Sequence, residues 1–218
     1  MNSDSISNNI HVSSHPIVAT KISQLRDQAT TPKQVRELIR DLGQLIGYEA
    51  TADLNIRQGK TLNSPLASYS SIELRERVAL VPVLRSGLGL VDPMLSLLPE
   101  AHVLHLGLYR ERSTLQPVEY YNKLPQNPNV DSCIVLDPII ATGGTAVATI
   151  NILKDWGIED RNIKFICICA SKPGLQLLAE KHPEISVYVG VVDEILNDHG
   201  YILPGLGDCG DRLWDTNF

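Results

Sequence analysis

CIVLDPIIATGGTAVATI, residues 133–150, opens as apolar as a buried strand and closes with the spacing of a helix. Between the two lies a short turn of Ala, Thr and Gly, preceded by one carboxylate, Asp137. A strand that hands over to a helix in this way is half of a βα unit, and such units build parallel sheets. VALVPVL (78–84), HVLHLGLY (102–109), IKFICICA (163–170) and ISVYVGVV (185–192) are further short runs rich in Val, Ile and Leu. Helices are predicted around 87–98, 144–156 and 173–182. Continuous apolar strands alternating with helices imply a sheet covered on both faces. The expected fold is α/β, a five-stranded parallel sheet flanked by helices.

In such a sheet, ligands bind beyond the carboxyl ends of the strands, where loops enter helices. ATGGT (141–145) occupies that place. Glycine lets backbone N–H groups approach an anion, Thr142 and Thr145 add hydroxyl donors, and the helix that follows points its positive end inward. The loop therefore suits a phosphate. Asp137 would repel a phosphate beside it, and makes sense as an acceptor for sugar hydroxyls or a stabiliser of positive charge on the sugar. No GxxxxGK[ST] and no GxGxxG is present, so neither the Walker loop nor the dinucleotide fingerprint applies. GGT alone fits a plain helix entry equally well; an acid, a cradle and a helix in succession favour the phosphate.

Towards the N-terminus, HPIVATKISQLRDQ and TTPKQVRELIRDLGQLIGYEA carry two helical patterns, with Thr31 as cap and Pro32 in the first turn of the second. Residues 55–76 read as a loop or small ribbon, and 110–131 as a mobile loop or projecting ribbon. The start, MNSDSISNNI, reads as a frayed tail on a cytoplasmic protein, with residues 1–14 flexible. The end, GYILPGLGDCGDRLWDTNF, is turn-rich; its glycines and Pro204 speak against helix. The four cysteines contain no CxxC pair, and Cys167 and Cys169 are expected as small buried residues on one face of a strand. The charge, 19 − 25 = −6, argues against a non-specific nucleic-acid binder. No apolar run reaches the roughly 18 to 20 residues of a membrane span.

VLDPIIATGGTA resembles the PRPP-binding motif of the type I phosphoribosyltransferases. Its Asp137-Pro138 pair, where most of that group place two acids, is the form typical of uracil phosphoribosyltransferases. HGYILPGLGDCGD (199–211) resembles the uracil-binding hood of the same family, and VPVLRSGLGL its pyrophosphate loop. HPIVATKISQLRDQ, YEATADL and GLYRERSTLQPVEYY match it as well, so the likeness runs from about 15 to 215.

The resemblance implies one domain over 1–218 with the type I phosphoribosyltransferase fold, N-terminal helices, a projecting ribbon and a hood at 199–218. It implies transfer of the phosphoribosyl group from PRPP to uracil, giving UMP and pyrophosphate, with Mg²⁺ carried on PRPP and no organic cofactor. PRPP would be held by Arg85, Arg110, Asp137, Pro138, Ile139, Ile140, Ala141, Thr142, Gly143, Gly144, Thr145 and Asp208. Uracil would be framed by Ile202, Gly207, Asp208 and Cys209. Arg85, Arg110, Asp137 and Asp208 would carry the catalytic roles, with Arg112 a weaker candidate. Arg85 and Arg110 follow neighbouring strands, where positive charge suits pyrophosphate. No residue is expected as a direct metal ligand, since no Asp/Glu/His cluster suggests a protein cage. A homo-oligomer, dimer or tetramer, and activation by GTP are further implications. The alternative is a non-catalytic regulator that senses PRPP or UMP on the same fold.

Four local features depart from expectation or stay outside the site. Ser86 stands where bacterial relatives usually have Ala, a small change in a tight loop, whereas Cys209 replaces a residue that is usually Ala and would set a tighter pocket or a reactive thiol beside the base. Trp214-Asp215-Thr216 replaces the more usual aromatic-Gly-Thr, which bears on the last turn. His199 and Tyr201 read as packing residues at the base of the hood.

Overall fold

The computed structural model describes residues 9–110 and 117–216. In chain order its elements are β1 (Ile10–Val12), α1 (Pro16–Arg26), α2 (Pro32–Ala50), β2 (Ile56–Asn63), β3 (Ser68–Leu74), β4 (Val78–Leu84), α3 (Val91–Leu97), β5 (His102–Val103), β6 (Leu106–Arg110), β7 (Pro117–Asn122), β8 (Ser132–Leu136) and β9 (Ile139–Ile140). After these come α4 (Gly144–Trp156), β10 (Ile163–Ser171), α5 (Lys172–Lys181), β11 (Ser186–Asp193), β12 (Ile195–Leu196), β13 (Ile202–Leu203) and α6 (Cys209–Trp214).

The main sheet runs β1-β11-β10-β8-β4-β6-β7, with β5 beside β4 and β9 beside β10. All its pairings are parallel except β6 with β7. The five expected apolar runs are therefore its centre, and the structure adds β1 at one edge and β7 at the other. The third run divides into β5 and β6 for a local reason. Pro82 sits inside β4 and has no N–H to give. On that side β4 pairs with β5 at Ala79–Leu80 and with β6 at Val83–Leu84, either side of the proline.

Period-two alternation sends side chains to two cores. Leu80, Ile134 and Leu136 face the layer of α1, α2, α3 and α6, whereas Ala79, Val81, Cys133 and Val135 face α4 and α5. α2 is held by this burial: Val35, Ile39, Leu42 and Ile46 lie at helical spacing and are all buried. Its start is the expected one. Thr31 Oγ1 accepts from the Gln34 N–H while Gln34 Oε1 accepts from the Thr31 N–H, a reciprocal cap with Pro32 in the first turn.

Several expectations need correction. Ile10–Val12 pairs with Val187–Val189, so the flexible tail expected over 1–14 does not extend that far; residues 1–8 lie outside those described. Cys167 and Cys169 are both buried, but in opposite cores rather than on one face. The alternation slips there because the Pro138 carbonyl accepts from both the Ile168 and the Cys169 N–H. The C-terminal segment is not only turns. It forms a β12–β13 pair and the helix α6, whose Leu213 is fully buried in the α2 core. Residues 55–76 are the antiparallel ribbon β2–β3, and β6 pairs antiparallel with β7, while residues 111–116 of the expected loop or ribbon over 110–131 lie outside those described.

Candidate active site

β4, β8, β10 and β11 end side by side, and Arg85, Asp137, Ser171 and Asp193 stand at those ends. The loop after β8 reaches α4 through Gly143, which has φ +84 and offers no side-chain cap. The first-turn N–H groups of this 13-residue helix are thus left for an outside acceptor. Only glycine fits at 143. Besides its left-handed backbone, a Cβ there would lie 2.6 Å from the Gly174 carbonyl oxygen. The start of α5 braces the loop from behind: Ser171 Oγ donates to the Ala141 carbonyl at 2.5 Å and accepts from the Gly174 N–H at 2.9 Å. Ser171 and Gly174 were not picked out from the sequence, although Ser-x-Pro-Gly at a strand end is a readable helix start.

Asp137 is 8% exposed. Ser86 Oγ donates to its Oδ1 at 2.9 Å and the Ile139 N–H to the same atom at 3.5 Å, so Oδ2 remains available to a ligand. Burial pushes its pKa up to about 7, against the pull of the Ser86 and Ile139 hydrogen bonds, and the charge of Asp208 raises it further. Ser86, read from the sequence only as a small substitution, is therefore the side-chain donor to the site's central acid.

A cleft of about 390 Å³ opens beside these groups, lined by Leu84, Arg85, Ser86, Leu108, Tyr109, Tyr120, Asp208 and Gly210. Tyr109 and Tyr120, whose ring centroids are 6.0 Å apart, were not anticipated as lining residues. A larger cavity of about 570 Å³ lies between the β2–β3 ribbon and the start of β4, and contains none of the expected residues. The smaller cleft is the better candidate because it lies at the carboxyl ends of the strands.

Arg85 Nη2 donates to Asp211 Oδ1 at 2.9 Å and Nη1 to Thr216 Oγ1 at 3.1 Å, which ties the loop after β4 to α6. The Thr216 and Arg85 hydrogen bonds hold the Asp211 carboxyl below its usual range. Asp208 is exposed and caps α6, its Oδ1 accepting from the Asp211 N–H at 3.0 Å. Arg110 ends β6, but its side chain, like all of Arg112, lies outside the described residues.

The remaining expected residues divide. Thr142 and Thr145 are half-buried around the helix entry. Ile140 is 1% exposed, and β9 pairs with β10, so Ile139 and Ile140 can offer a ligand backbone more readily than side chain. Ile202 and Cys209 turn their side chains into the α2 core. Cys209 is no reactive thiol: burial raises its pKa far above the ordinary range and keeps it protonated. Gly207 is exposed with φ +70. His199 and Tyr201 are exposed rather than packed.

Asp215 adopts φ +54, the left-handed conformation that the usual glycine would take there, so the last turn keeps its geometry. Aspartate tolerates that region at a cost. Asp215→Gly should raise stability by about 1 kcal/mol, read as a higher denaturation midpoint with an unaltered denaturant slope.

An uncapped helix entry for a phosphate, with a sheltered acid before it, suits a phosphorylated sugar, and the class so defined is that of the phosphoribosyltransferases. The chain belongs to the uracil phosphoribosyltransferase family, whose profile matches residues 12–216. A protein of Roseiflexus sp. (strain RS-1) named uracil phosphoribosyltransferase is 52% identical over 207 residues, covering 95% of this chain and 98% of that relative. One of the same name from Brevibacillus brevis is 46% identical over 208 residues, with the same coverage of 95% and 98%. The solved structure of the AQ2163 protein from Aquifex aeolicus superposes with a TM-score of 0.86 at 37% identity, covering 95% of this chain and 98% of that one.

Proposed function

We propose that the chain, acting as one domain, transfers the phosphoribosyl group of PRPP to N1 of uracil, releasing pyrophosphate and forming UMP. The observation that carries this reading is a cleft lined by Arg85, Ser86 and Asp208, whose Ser86 donates to Asp137 at the strand end that leads into the uncapped start of α4. The helix entry takes the 5-phosphate. Asp137 accepts from the ribose hydroxyls and stabilises positive charge as the bond to pyrophosphate lengthens. Arg85, with Arg110, balances the charge of the departing pyrophosphate, and uracil N1 attacks the opposite face of C1 as its proton is released to solvent. Positioning and charge stabilisation do most of the work. Backbone groups of the hood, from Ile202 to Cys209, meet the uracil carbonyls and N3–H, and cytosine is excluded because its N3 has no proton.

Mg²⁺, bound to PRPP, would supply charge neutralisation at its phosphates. Among the described residues, no three His, Cys, Asp or Glu side chains gather into a group that could hold a metal ion. Asp208, exposed at the cleft, is placed to accept from the water shell of such an ion. All four cysteines are free, in keeping with a reducing, cytoplasmic setting. Among the described residues no helix is long and apolar enough to cross a membrane.

The chain is further proposed to self-associate through the β2–β3 ribbon, which exposes Ile56, Leu62, Leu66, Tyr69 and Ile72. Light scattering of the Leu66→Glu/Ile72→Glu variant should then show a smaller species than wild type. The reaction is tested with PRPP and Mg²⁺ and with radiolabelled uracil, hypoxanthine, guanine or cytosine supplied in turn, with and without GTP. UMP formation from uracil alone is expected, and labelled product from another base would redirect the assignment. Asp208→Asn keeps the helix cap, since asparagine caps as well as aspartate, and should slow turnover about tenfold at saturating PRPP. Its preference for uracil should survive, because backbone reads the base. Full activity would remove Asp208 from the site.

A further inference from the structure

The hood is fastened to the body by an ion pair outside the proposed chemistry. Arg26, the last residue of α1, donates from Nη2 to Asp193 Oδ1 at 2.7 Å and from Nη1 to Asp193 Oδ2 at 2.8 Å. Nη1 also donates to the Gly205 carbonyl at 2.9 Å. The Gly205 N–H in turn donates to Asp193 Oδ2 at 3.1 Å, and the Cys169 thiol meets the same oxygen at 3.4 Å. One ion pair thus holds both backbone polar groups of Gly205.

The pair is sheltered, with side-chain exposures of 21% for Arg26 and 8% for Asp193. Burial alone would raise the Asp193 pKa, but the Arg26 hydrogen bond and charge, with Cys169 and Gly205, bring it below its ordinary value. Removing one partner of such a pair strands the other in a poorly solvated place. Gly205 has little freedom of its own. Its φ is +55, and a Cβ there would lie 2.2 Å from the Ile202 carbonyl oxygen. It sits between Ile202 and Gly207, two of the residues assigned to the base.

We infer that Arg26, through Asp193 and Gly205, is a positioning residue that sets the register of the hood, so that uracil binding depends on a side chain of α1 that does not line the cleft. The inference rests on the assignment of the hood to uracil. A fold-stabilising pair and a base-positioning pair differ in what their loss does to the two substrates. PRPP is held mainly by the loops after β4 and β8, which the pair does not touch.

The test uses the full chain with Arg26→Met, Arg26→Lys and Asp193→Asn, the last two guarding against a variant that fails to fold. KM for uracil, KM for PRPP and kcat are measured separately, and hydrogen exchange is followed across 202–207. Arg26→Met should raise KM for uracil about tenfold and leave KM for PRPP within about twofold, with Arg26→Lys in between. Exchange at the Gly205 amide should speed up in each variant. Equal rises in both KM values would mean a general loss of stability and overturn the inference. Unaltered exchange together with unaltered KM for uracil would also overturn it. Faster exchange with unaltered KM for uracil would overturn it through the hood assignment it rests on. If the wild type formed no UMP, the proposed reaction would fail instead, and binding of uracil measured by calorimetry would replace KM in the same comparison.

Discussion

Asp137→Asn is expected to lose about a hundredfold in kcat/KM for PRPP, the worth of roughly 2.7 kcal/mol from a charge-assisted contact. It is also expected to lose the wild type's pH-dependent instability. Both follow from one placement. The carboxyl is 8% exposed, and its pKa is pushed up to about 7 from 3.8, chiefly by burial. Between those two values the folded protein binds a proton that the unfolded chain has released. Stability therefore falls as pH rises through that window, and levels off above about 7. Asparagine has no such proton, so the melting temperature of the variant should vary less between pH 4 and pH 8 than that of wild type. Ser86 can still donate to the amide oxygen, which keeps the loop after β4 tied to the end of β8. The same pKa gives the wild type an acid limb, with kcat/KM for PRPP rising through about pH 7. Parallel stability profiles for the two proteins would mean that Asp137 is ionised throughout, and would remove the basis of both expectations.

The strands and the phosphate loop were legible because their signals are local. β8, the turn and α4 occupy the 25 consecutive positions from Ser132 to Trp156, and each residue type in the turn has a backbone reason to be present. Thr31 and Pro32 announced α2 in the same way. The hood was misread because α6 has six residues and begins Cys-Gly, where the glycine outweighs the single buried pair Cys209 and Leu213. Its real start signal was Asp208, an N-cap three residues before Asp211, which had been assigned only a chemical role. β1 was missed because three residues at a sheet edge carry almost no periodicity. Contacts distant in sequence left no trace at all. Ser86 meets Asp137 across 51 residues and Arg26 meets Asp193 across 167, and nothing local to either partner marks the other.

Arg85→Ala should weaken PRPP use by about ten- to a hundredfold, mostly as a higher KM with some loss of kcat, the worth of roughly 1.5 to 3 kcal/mol for a charge-assisted phosphate contact. The melting temperature should hardly change. The guanidinium is 52% exposed, and ion pairs that open to water contribute little to stability. Arg85 has a second engagement, however, with Asp211 and Thr216 of the C-terminal segment. Its loss could therefore act on the hood rather than on the anion. Asp211→Asn separates the two, because it removes the charge partner and leaves the arginine in place. If Arg85 serves pyrophosphate, freeing it from Asp211 should leave KM for PRPP unaltered or lower, since the cation no longer shares its charge with a carboxylate. Arg85→Lys should fall between wild type and Arg85→Ala, because lysine keeps the charge but not the fork that grips two acceptors at once. Initial rates across a PRPP series for the four proteins decide the matter. An Asp211→Asn variant as impaired as Arg85→Ala would show that the arginine's task is to dock α6, and the pyrophosphate would then need another cation.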